Sequence, residues 1–115
     1  MTHPLRAAFL SQANSCAGLG SPFMARLCRL LAGRLAPGSS VADRLFGWQG
    51  DLTSLGDNVP LRLAGALHGL RLAGHPGLAG AYPPGTVDDD ALFAAVSDAM
   101  ARHAAEIHPV LDSPP

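Results

Sequence analysis

The stretch SPFMARLCRLLAGRLAPG, residues 21–38, constrains this chain more than any other. Phe23, Leu27, Leu30, Leu31 and Leu35 recur at three- and four-residue spacing and make one apolar stripe, with Arg26, Arg29 and Gly33 on the other side. Ser21 can cap the free N–H groups, and Pro22 suits the first helical position because its missing N–H would be unpaired there anyway. APGSS stops the helix. So wide an aliphatic stripe must be covered by other elements, and the rest of the chain offers helices to do it. Leu and Ala dominate a hydrophobic content of 48%, aromatic residues make up 5%, and the β-branched residues that favour strands are scarce.

Three further helices follow from spacing. Leu5, Ala8, Phe9, Gln12-Ala13, Cys16 and Leu19 form a helical stripe ending at the Gly18/Gly20 pair. VPLRLAGALHGLRLAG is capped by Asn58 and closed by Gly74 and Pro76. TVDDDALFAAVSDAMARHAAEI starts with a capping-box-like pair, Thr86 and Asp89, and closes at Pro109. Its buried stripe is Leu92, Val96, Ala99-Met100, His103 and Ile107. SVADRLFGW reads as a short helix capped by Ser39 or Ser40, and HPGLAGAYPPG as a connection with one turn around Leu78. The expected fold is all-α: a compact orthogonal or bundle-like packing of four main helices plus one or two short ones. Residues 1–108 form the helical domain, and 109–115 read as the start of a linker to an absent C-terminal domain.

A chain of 115 residues can bury a core without metal or disulfide staples. The formal net charge of −1 offers no drive toward nucleic acid, and no apolar run reaches membrane-span length. Cys16 and Cys28, each among small apolar residues, read as buried reduced thiols, and no signal-peptide pattern opens the chain. A cytoplasmic protein is expected.

Few constellations carry chemistry. Asp88, Asp89 and Asp90 run straight into an apolar helix, lacking the alternation and turn glycine of a cation loop, and read as a helix N-terminus. His103 and Glu106 share a helical face but His108 does not, and no two histidines stand four apart as helical zinc ligands do. His68 reads as a core-edge histidine with a backbone partner. A nucleophile elbow is missing, and GLGSP lacks the strand and the lysine of a phosphate loop. No catalytic, cofactor or metal residues are therefore assigned. The most site-like segment is the long loop GWQGDLTSLGDNVP with the single Trp48, Asp51 and Asp57, where Trp48 reads as a plug over the edge of the core. Gly65 and Gly69, one turn apart, each cost about 1 kcal/mol relative to Ala and so suggest close contact with a neighbouring helix.

Taken in order, SPFMARLCRLLAGRL, VADRLFGWQGD, VPLRLAGALHGLRLAG, AYPPGTVDDDALFAAV and LDSPP resemble the N-terminal part of an uncharacterised bacterial family, domain of unknown function 2332. The resemblance runs from about Phe9 to Pro115. It implies a longer protein whose second region is similar to S-adenosylmethionine-dependent methyltransferases, with Asp112 and Ser113 at the junction. Two functions follow as expectations. One is a non-catalytic cap or dimerisation element of that larger protein, partnered by its C-terminal domain. The other is a stand-alone helical interaction module, able to form a homodimer through the Gly65–Gly69 face.

Overall fold

Every helix drives at least one side chain to near-zero exposure in a single core, which is what the aliphatic stripes require. In the computed structural model, which describes residues 3–49, 52, 57–83 and 87–112, the elements are α1 (Pro4–Gly18), α2 (Pro22–Arg34), α3 (Ser40–Phe46), α4 (Val59–Leu72), α5 (Pro76–Ala81), α6 (Asp89–Arg102) and α7 (Ala104–Leu111). No strand occurs among the described residues. The core joins Leu5 and Phe9 of α1, Leu27 and Leu31 of α2, Val41 and Leu45 of α3, Leu63 and Leu67 of α4, Leu78 of α5, Leu92 and Val96 of α6, and Ile107 and Leu111 of α7. The extents of 33 × 31 × 29 Å are nearly equal, so the helices pack as a globular all-α bundle.

α1 and α2 form a helical hairpin. Gly20 turns it with φ +82°, a left-handed value that a side chain would strain, and the Ser21 N–H donates to the Cys16 carbonyl. α2 then leans on α6, α4 packs on α1, α5 and α7, and α3 sits against α6 and α7.

Local chemistry sets most boundaries. Asn58 caps α4, Ser39 caps α3, and Asp88 caps α6 by accepting from the Ala91 N–H. The expected Thr86–Asp89 pair is thereby corrected to an Asp88 cap, and Thr86 lies outside the described residues. Ser21 holds the N-cap position of α2, but its hydroxyl caps no N–H. Leu19, expected in the α1 stripe, is 85% exposed because the helix has ended before it.

The C-terminal helix differs most from expectation. Helical structure breaks at His103 (φ −117°, ψ 29°), giving three short helices where one or two were expected. The break lets α6 stay on α5 and α2 while α7 redirects Ile107 and Leu111 against α4. α7 also runs through Pro109 to Leu111. Pro109 leaves the Ala105 carbonyl without an intrahelical donor, but Ala105 is exposed, so water can serve that group.

Candidate functional site

Arginines do much of the holding at the surface. Arg6 of α1 donates to the Ala32 and Leu35 carbonyls at 2.8 and 2.7 Å, satisfying acceptors at the C-terminal end of α2. Arg26 and Arg34 of α2 pair with Asp89 and Asp90 at 2.8 and 2.6 Å, so the acidic run both starts α6 and ties it to α2. No three His, Cys, Asp or Glu side chains converge to hold a metal ion among the described residues. Nor does any described helix have the length and apolarity to cross a membrane.

Three of the residues singled out in the sequence meet at one corner. The Arg44 guanidinium lies 4.5 Å from the centre of the Trp48 ring and donates to Asp112 at 2.7 Å. Arg62 grips both Asp57 oxygens, at 2.8 and 3.0 Å, and donates to the Leu111 carbonyl at 2.8 Å. That bidentate grip holds the Asp57 carboxyl below its ordinary value and raises Arg62. Trp48 is half-buried against the core, the plug expected of it. Asp51 lies outside the described residues. Arg44 and Arg62, which do the joining, were missed from sequence. Arg44 stands four residues before Trp48, a usable signal, but Asp112 is 68 residues from Arg44.

Gly65 and Gly69 are not brought to this corner. Both are exposed, and a Cβ added to either would meet nothing within 4 Å. The expected close helix contact is therefore corrected: among the described residues, no neighbour is packed against either glycine. Exposed Leu72 continues the same face one turn on.

Two of the histidines, His75 and His103, meet. His103 Nδ1 sits 3.6 Å from Glu106 Oε2 and the ring lies 3.9 Å, centroid to centroid, from that of His75. His108 Nε2 is 3.2 Å from the Ser40 hydroxyl. His68, expected at the core edge, is exposed, with its ring 6.1 Å, centroid to centroid, from that of the buried Tyr82.

A cleft between α1 and α4 has a volume of about 500 Å³. Ala8, Leu19, Leu52 and Leu61 supply apolar wall, with Ser11 and Ser15 on the α1 side. Its polar part is a relay of side chains. Asn58, whose Oδ1 caps the Leu61 N–H, donates from Nδ2 to Gln12 Oε1 at 2.9 Å, and Gln12 Nε2 donates to Cys16 Sγ at 3.4 Å. Gln12 and Asn58 are each only 8% exposed. Sequence reasoning placed Gln12 in the buried stripe without asking what its amide meets. A carboxamide within an apolar stripe has to find partners, and that was the available signal.

Cys16 and Cys28 are both free and buried. Burial, then the neighbouring Cys16 thiol, pushes Cys28 up to about 12. Tyr82 is also pushed to about 12, chiefly by burial and then by Cys28, and its hydroxyl has no hydrogen-bond partner among the described residues. Cys28 and Tyr82 are enclosed in the core, whereas Cys16 lines the α1/α4 cleft.

Comparison with known proteins is spare. Neither the curated proteins nor the solved structures contain a match to this chain. The profile of one family, described as "Uncharacterized protein conserved in bacteria (DUF2332)", matches residues 6–115. The order of segments noted in the sequence and this match over nearly its whole length agree, and the chain belongs to the DUF2332 family.

Proposed function

We propose that this chain is a helical cap domain on the substrate side of a larger, methyltransferase-like protein, and that it contributes no catalytic residue of its own. The observation that carries this reading is the chemistry of the α1/α4 cleft. Among the described residues its walls are aliphatic, and its polar groups are two hydroxyls, two carboxamides and a thiol. Such a lining can bind and exclude water but supplies no general acid or base near neutral pH. Cytoplasmic residence belongs to the same proposal and is supported by two thiols left unpaired. The test is calorimetric titration of this chain with S-adenosylmethionine. No heat of binding is expected, whereas tight one-to-one binding would sink the proposed division of labour.

A second reading, a stand-alone module that pairs with itself, is favoured by one observation. Gly65, Gly69 and Leu72 lie on one exposed face of α4, with open space over both glycines. A second copy could approach closely there. Sedimentation equilibrium should then give a dimer that Gly65→Leu disrupts, and a strict monomer at high concentration removes this reading.

A further inference from the structure

We propose that the α1/α4 cleft binds a small, neutral, mainly aliphatic molecule carrying one hydrogen-bond-accepting oxygen, such as a medium-chain ketone or ester. The inference rests on reading this cleft as the working surface of the cap, and it names the class of ligand.

Three observations lead to it. First, about 500 Å³ falls within the roughly 300–1,000 Å³ of small-molecule sites. Second, the described lining contains no guanidinium, imidazole or carboxylate. A carboxylate or ammonium ligand would lose its hydration there with no countercharge to replace it, which disfavours ions strongly. Third, the cleft has a donor to spare. Gln12 Nε2 carries two hydrogens, and its acceptor among the described residues is the sulfur of Cys16 at 3.4 Å, a weak one. Asn58 holds the other end of the same carboxamide through Gln12 Oε1, which fixes the amide with its nitrogen committed as donor. A nine-tenths-buried N–H without a strong acceptor is costly to leave unmet. A ligand oxygen would meet it while its chain covers Leu61, Leu52 and the rim residue Leu19.

The geometry also separates this ligand from a polar one. The other large cleft, where His75 and His103 meet beside Arg102, holds the ionisable groups, and there Arg102 is already paired with Asp98 at 2.7 Å. The two clefts differ in kind, and the α1/α4 cleft is the apolar one.

The test uses prodan, a neutral fluorophore with one ketone oxygen whose emission shifts to the blue when it leaves water. Titrated with the intact chain, it should show saturable one-to-one binding. 2-Decanone should displace it, and decanoate at pH 8 should be at least about tenfold weaker, for want of a countercharge. Two variants locate the site. Ser15→Trp, at an exposed position on the cleft wall, should abolish binding by filling the space. Gln12→Leu should weaken it roughly three- to tenfold by removing the donor, with circular dichroism confirming that each variant is folded. The inference is overturned by the absence of saturable binding, by equal binding in wild type and Ser15→Trp, or by decanoate competing as well as the ketone. It is also overturned by a dimer that Ser15→Trp dissociates, since a second copy would then be the occupant. A null result with prodan leaves the S-adenosylmethionine titration unaffected, so the two proposals fail separately.

Discussion

The α1–α2 hairpin and the α3–α4–α7 corner are held together by different physics. In the hairpin, Leu5, Phe9, Leu27 and Leu31 are essentially unexposed and interlock across adjacent segments of chain. At the corner, α7 adds Ile107 and Leu111 to the core, but its end is tied by Arg62 to the Leu111 carbonyl and by Arg44 to Asp112. Aliphatic packing is non-directional and scales with area removed from water, so it tolerates solvent conditions well. Guanidinium clasps at partly exposed sites depend on geometry, charge state and salt. The hairpin should therefore behave as the stable nucleus of the fold and the corner as its adjustable edge.

The largest effect is expected from breaking the hairpin. Leu31→Ala should cost about 2–5 kcal/mol, through lost burial and the cavity left behind, read as a lower urea midpoint with unchanged slope. A cost below about 1 kcal/mol would mean the hairpin is not the nucleus. Next comes Arg62→Leu. It should free the amides of α7 to exchange with solvent while those of α2 remain protected, measured by hydrogen–deuterium exchange. Equal loss in both helices would erase the distinction between the regions.

The glycines give a smaller effect of opposite sign. Gly65→Ala and Gly69→Ala meet no neighbour within 4 Å and should each stabilise the chain by about 0.5–1 kcal/mol in thermal or urea unfolding. Destabilisation, or loss of a dimer, would show that something packs on that face. The smallest effect separates the regions by pH. Because Asp57 is held below its ordinary 3.8, its contribution is fully present above that value and fades as pH falls through the lowered folded value. The melting temperature of wild type should exceed that of Asp57→Asn by a constant margin from pH 7 to 5, and the margin should close in more acidic solution.

The same contrast explains what could be read without coordinates. The α2 stripe, the Asn58 cap and the acidic start of α6 are short-range features, and each appeared where spacing put it. The break at His103 was illegible, because residues 92–107 keep a helical spacing throughout, and only the demand of α4 for Ile107 and Leu111 turns the chain there. The two glycines misled for a related reason. Their spacing suggests close approach, but spacing cannot say whether a neighbour is present. For the site, Trp48, Asp57 and Asp112 were singled out separately, and no sequence rule connects Arg44 to a carboxylate 68 residues away.

By itself, then, the sequence determined an all-α chain, the faces of its main helices, the Ser39 and Asn58 caps and its family, because periodicity and capping act within a few residues. The tertiary structure alone decided where α6 ends and α7 begins, which arginine clasps which carboxylate, and that Gln12, Asn58 and Cys16 meet at one apolar cleft. Those outcomes depend on which surfaces come together when the core closes, and residues far apart in the chain carry no local mark of their future neighbours.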